Sequence, residues 1–217
     1  VGLSAVAFAG LLVVFFLGMK MLADDLERSR IYLLLFRTIS IWQYLLGKFL
    51  GLALILLTAT VILGVSAAVS MQYVLWSYPA FVPPNFSWLT YVMALLSQWL
   101  GLVMVSAVSV FCFSFASQPF VALLLTACTY LAGQNMELLR RVVLENAYAG
   151  VLSGRESLVI GLSWIFPNLS LFDKKYAAAY GLAFSGQELL LLTGYALSYS
   201  LLLLWLAAFL FKRKELA

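Results

Sequence analysis

Residues 49–76, FLGLALILLTATVILGVSAAVSMQYVLW, and 88–116, WLTYVMALLSQWLGLVMVSAVSVFCFSFA, contain no Asp, Glu, Lys or Arg. The gap is wider still, because no such side chain occurs between Lys48 and Glu137. A charge at mid-bilayer costs about 3 kcal/mol even on insertion scales, so hydrocarbon selects against it where water would select for it. The whole chain of 217 residues is 65% hydrophobic and 10% charged. A soluble domain carries about a quarter charged residues. The fold class that follows is an all-α polytopic membrane protein, with residues 1–217 forming a single transmembrane domain.

Working outward, each span needs about 20 apolar residues. The pattern predicts about five: 1–22, 45–76, 88–116, 119–134 and 189–211. Ser40-Ile41-Trp42-Gln43 reads as a capping box before the second, in which Ser40 and Gln43 satisfy orphan backbone amides. Tyr78-Pro79 and Pro83-Pro84-Asn85 end that helix, and Ser117-Gln118-Pro119 makes a tight turn between the third and fourth spans. Residues 135–186 form a segment with short helices: Met136 to Tyr148 alternates apolar and charged residues at helical spacing. Ser157 to Phe166 is apolar but too short to span, and Pro167-Asn168 stops it. The chain begins at Val1 without the basic region of a signal peptide, which suggests one more helix upstream and six in all.

Orientation follows from the basic residues. Lys20, Arg28, Arg30, Arg37 and Lys48 cluster after the first span, and Lys212, Arg213 and Lys214 follow the last. The Tyr78–Asn85 loop has none. By the positive-inside rule, segment 23–40 and tail 212–217 are cytoplasmic, while the proline loop and segment 135–186 are external. Arg140, Arg141, Arg155, Lys174 and Lys175 in that long segment run against the rule, which long loops obey less well.

Several chemistries are set aside by composition. There is no His, which removes the usual general base and zinc ligand. Cys112 and Cys128 lie inside apolar runs and read as small buried residues, not as a disulfide or metal pair. The net charge of +4 arises from residues at helix ends, which is no nucleic-acid footprint. Gly47-Lys48 is followed by Phe49, with Trp42 where a phosphate loop needs its first glycine. The chain is therefore expected not to be an enzyme and to bind no cofactor of its own.

The cytoplasmic segment 23–40, ADDLERSRIYLLLFRTIS, places acids first and bases after them. Asp24–Arg28 is an i,i+4 pair and Glu27–Arg30 an i,i+3 pair, ahead of an apolar run from Ile31 to Phe36. Two readings stand: an interfacial helix that obeys the charge rule, or a rigid charged knob offered to a cytoplasmic partner.

The run Ala23-Asp24-Asp25-Leu26-Glu27-Arg28, then Ile31-Tyr32-Leu33-Leu34-Leu35, then Tyr44-Leu45-Leu46-Gly47-Lys48-Phe49-Leu50-Gly51, resembles the coupling segment of type-2 ATP-binding-cassette (ABC) exporter permeases. Phe166-Pro167-Asn168-Leu169-Ser170-Leu171-Phe172-Asp173 is similar to that family's segment before the last span, and Phe211-Lys212-Arg213-Lys214-Glu215-Leu216 to its closing motif. The chain departs from the family at Ser29-Arg30, where Gly-Thr is frequent, and at Thr38, where Pro is. The resemblance implies six spans and a dimer with a second permease copy or homologue. It also implies separate cytoplasmic ATPase subunits that bind ATP and magnesium, contacted by Asp24, Asp25, Glu27, Arg28 and Arg30. It points to the bacterial cytoplasmic (inner) membrane, with substrate exported at the expense of ATP hydrolysed by the partner.

Within the spans, Ser97, Gln98, Ser106 and Ser109 could line a substrate path. The other reading is interhelical hydrogen bonding, worth about 0.6 kcal/mol each, and close packing of small residues. Gly47-x-x-x-Gly51 is a packing signal at the membrane edge. Two further functions remain beside the exporter: a non-transporting anchor or assembly factor, and a secondary transporter. The absence of Asp, Glu, Lys and Arg deep in the later spans counts against the last.

Overall fold

The computed structural model describes residues 2–18, 20, 40–78, 86–116, 118–148, 166–182 and 184–215, with the side chains of 143–148 and 213–215 excepted. Helix α1 (Gly2–Val13) continues through a π-helical turn, Val14–Gly18. It is followed by α2 (Ile41–Ser77), α3 (Trp88–Phe115), α4 (Pro119–Gln134) and α5 (Met136–Tyr148). A 3-10 turn at Leu169–Phe172, a short α6 (Lys175–Tyr180) and a long α7 (Gly186–Glu215) complete the order. No strand occurs among the described residues.

The helix ends are set by local chemistry. Ser40 Oγ accepts from the Gln43 amide at 3.3 Å and Gln43 Oε1 accepts from the Ser40 amide at 3.1 Å, which closes the capping box that opens α2. Pro119 opens α4, where its missing N–H costs nothing. Ser185 Oγ accepts from the Glu188 amide at 3.2 Å and so covers an orphan donor in the first turn of α7.

The expectation of about five spans is corrected by helix length. Among the described residues, α2, α3 and α7 are long and apolar enough to cross a bilayer, and the chain is a membrane protein on that ground. The other two apolar helices, Gly2–Gly18 and Pro119–Gln134, fall below that length. At 1.5 Å per residue, the 16 residues of α4 reach about 24 Å against a hydrocarbon thickness of about 30 Å. Asn135 then turns the chain and α5 starts afresh.

Helix α3 is the axis of the bundle. Inside its apolar stretch 72% of residues are buried, against 28% in α2 and α7. Small residues permit this: Ala94, Ser97, Gly101, Ser106, Ala107, Ser109 and Ser114 are all buried and let neighbouring backbones approach. Two side chains of α3 also bond carbonyls on α2, Tyr91 Oη to Gly64 at 2.7 Å and Trp99 Nε1 to Ala53 at 3.1 Å. One buried cluster joins Leu45, Phe49, Val103, Val110, Phe113 and Leu204; another joins Leu52, Leu56, Met104, Leu169, Phe172 and Leu192. The outward faces stay apolar, with Leu54, Ile62 and Val65 of α2 and Leu190, Leu191 and Trp205 of α7 exposed. Lipid tails are as apolar as leucine, so such faces incur no cost there.

The glycines divide by what surrounds them. A Cβ on Gly64 would meet Leu95 at 2.8 Å, whereas Gly47 and Gly51 have nothing within 4 Å among the described residues. The Gly47-x-x-x-Gly51 pair therefore mediates no packing among the described residues. Gly47→Ala and Gly51→Ala are expected to leave the thermal midpoint unchanged or slightly raised, since Gly inside a helix costs about 0.5–1 kcal/mol relative to Ala. Gly64→Ala gains the same helix propensity but must push the end of the Leu95 side chain aside, so its midpoint is expected to rise less than that of Gly51→Ala.

Candidate functional site: a polar cavity beneath an inserted turn

Residues 166–173, FPNLSLFD, do not simply return the chain to the last span but enter the bundle. Pro167 is fully buried and Asn168 is 3% exposed. Glycine makes room: a Cβ on Gly133 of α4 would lie 2.6 Å from the Pro167 carbonyl oxygen, and one on Gly101 of α3 would lie 3.1 Å from Phe172 Cβ. The backbone polar groups that this insertion buries find partners. The Asn168 amide donates to Tyr195 Oη at 3.0 Å, and Ser97 Oγ donates to the Phe172 carbonyl at 3.0 Å. Ser170 Oγ donates to Asn168 Oδ1 at 2.6 Å, and Asn168 Nδ2 reaches Glu137 Oε2 at 3.5 Å. The Phe172 ring stacks on Tyr195 at 6.1 Å. Side chains or glycines of α3, α4, α5 and α7 thus hold one turn, as buried polar groups require.

Charged residues follow directly. Asp173 Oδ2 and Lys175 Nζ form an ion pair at 3.0 Å, each side chain about a third exposed. Lys174 pairs with Glu188 in the first turn of α7 and lies 5.3 Å from the centre of the Phe184 ring.

Beneath the turn is a cavity of about 50 Å³. Its polar lining is Gln98, Tyr130, Gln134, Asp173 and Lys175, with Ala7 and Leu11 of α1 contributing apolar wall. Phe15 packs edge-on against Tyr130 at 6.5 Å and links the π turn of α1 to α4. At about 10–15 Å³ per water, the space suits roughly four waters or one small polar group. One carboxylate, one ammonium, two amides and a phenol can donate and accept in every direction. An extended amphipathic cargo does not fit. No group of three His, Cys, Asp or Glu able to hold a metal occurs among the described residues.

The structure separates the four residues named for a path. Gln98 lines the cavity, and Ser97 holds the inserted turn from its buried side. Ser106 bonds its own helix at the Val103 carbonyl, 2.7 Å away, and Ser109 is buried with its Oγ 3.6 Å from where a Cβ on Gly18 would lie. Asp24, Asp25, Glu27, Arg28 and Arg30 lie outside the described residues. Tyr130, Gln134, Asp173 and Lys175 of the lining were not among the residues named for a path. The available signal was the cluster Asp173-Lys174-Lys175, close after Pro167-Asn168 in an apolar region.

Ser97→Ala leaves the Phe172 carbonyl without that donor. An interhelical bond in a membrane protein contributes about 1 kcal/mol, so the melting midpoint in detergent is expected to fall by about 2–4 °C. Ser106→Ala, which removes a bond within one helix, is the comparison and shifts it less.

Comparison with protein-family models, characterised proteins and solved structures finds no match to this chain.

Proposed function

We propose that this chain is the membrane-spanning permease subunit of an ABC exporter in the bacterial cytoplasmic membrane. It works as one of a pair and is driven by separate ATPase subunits that carry ATP and magnesium. The observation that carries this reading is the order of the motifs. The charged coupling-like segment 23–40, the FPNLSLFD turn and the basic tail occur in the family's order, around a stretch from Phe49 to Met136 that holds no Asp, Glu, Lys or Arg.

The geometry supports a route for force. Segment 23–40 ends at the Ser40 cap, and α2 begins at the next residue as a rod of 37 residues, about 55 Å long. A push delivered at Ser40 enters α2 at its first turn, because the helix begins at the next residue and the capping box ties the two together. Tyr91 and Trp99 fasten α2 to α3, and Ser97 fastens α3 to the inserted turn at the cavity end. The cavity holds a few waters only, so a cargo of larger size does not occupy it, which fits a path between two copies.

The test is affinity purification of the full-length protein in mild detergent with identification of bound proteins by mass spectrometry. An ATPase subunit is expected with the parent protein, and at least a tenfold loss is expected with Glu27→Lys/Arg28→Glu at equal permease recovery. Failure to recover any ATPase with the parent, even after crosslinking, removes the power source and leaves the non-transporting anchor or assembly reading.

A further inference from the structure

Helix α6 carries two tyrosines that the bundle does not use. Tyr176 and Tyr180 are one helical turn apart, and their rings stack at 6.3 Å and an interplanar angle of 6°. They are 70% and 66% exposed. A tyrosine pair turned to water gives up the burial of two large rings, which contribute most when the ring is in an apolar phase and the hydroxyl stays wet. The surroundings supply that phase. Lys174, immediately before α6, pairs with Glu188 in the first turn of α7. This contact fixes the start of α6 at the level of the last charged residue before the apolar stretch of α7. Two and three residues further along α7, Leu190 and Leu191 are 73% and 71% exposed. Leu182, between the two helices, is exposed as well. The six residues of α6 extend about 9 Å, which keeps both rings close to that level.

We propose that the Tyr176–Tyr180 pair is a membrane anchor, seated in the headgroup and glycerol region of the leaflet into which the Gly186 end of α7 opens. Its partner is the lipid interface, where amphipathic rings concentrate. The surface is continuous with the lipid-facing leucines of α7. Lys174 stands beside it with its charge compensated by Glu188, so the clamp that sets the depth brings no unpaired ion to the leaflet. The inference rests on α7 crossing the membrane and not on the transport reading.

The test is site-directed spin labelling of the full chain in phosphatidylethanolamine and phosphatidylglycerol vesicles. Trp reporters are unsuitable because six tryptophans are already present. The labels are Tyr176→Cys, Tyr180→Cys and, as a depth marker, Leu197→Cys, in a Cys128→Ala background, Cys112 being buried. Collision rates with oxygen and with a water-soluble nickel chelate are compared. The expected oxygen-to-nickel ratio at 176 and 180 is at least threefold above a free aqueous label and below that at 197. A ratio equal to the aqueous label overturns the anchor. So do low collision rates with both reagents, which mean that protein covers the tyrosines. An aqueous ratio at 197 as well overturns it together with the membrane path of α7.

Discussion

Met104→Asp abolishes recovery of a monodisperse, membrane-extracted protein. Met104 is fully buried near the midpoint of α3, in the cluster with Leu52, Leu56 and Leu192. Aspartate there carries about 3 kcal/mol of insertion cost, and losing a buried Met side chain adds roughly 2–5 kcal/mol from lost packing. The sum is comparable with the whole stability of a typical domain, about 5–15 kcal/mol. Met104→Leu conserves volume and is expected to cost less than about 1.5 kcal/mol. The measurement is size-exclusion chromatography of detergent extracts of both variants. Parent-like behaviour of the aspartate variant would show that α3 does not lie in a hydrocarbon core.

The second large effect is at Gly133. A valine there directs its Cβ into the Pro167 carbonyl oxygen and crowds Leu169 at 3.0 Å. The obstacle is backbone, which cannot rotate away as the end of a side chain can. Gly133→Val is expected to cost about 1–3 kcal/mol, a fall of roughly 2–12 °C in melting midpoint for a chain of this size. Gly194→Val in α7, with nothing within 4 Å of the added carbon, serves as control. Equal midpoints for the two variants would mean that the Phe166–Asp173 segment is not seated against α4.

The contrast between these positions separates what a sequence carries locally from what only packing decides. Helix ends were legible wherever one residue decides them. Ser40 with Gln43, Trp88 and Pro119 lie at or beside boundaries that structure and sequence share. Apolar content was legible too, but it is a weaker quantity than length. Residues 119–134 are as apolar as a span, yet the turn at Asn135 leaves a helix of 16 residues. The insertion of FPNLSLFD was not legible, because it depends on Gly133, Tyr195 and Ser97, brought from three helices. Nor does a serine in an apolar run announce its partner. Ser97 and Ser106 look alike in sequence, but one bonds a distant carbonyl and the other its own helix.

That difference has a consequence for biosynthesis. The bond from Ser106 to Val103 is local, so it can close as soon as α3 is made. Ser97 waits for a carbonyl 75 residues later. At roughly 5–20 residues per second, the ribosome delivers that carbonyl about 4–15 s afterwards. During that interval α3 occupies the translocon or the nascent bilayer with the Ser97 hydroxyl short of its final partner and its small-residue face uncovered. Among the described helices, α3 is thus the one whose buried face waits longest for cover, a demand that arises during synthesis and ends when α7 arrives.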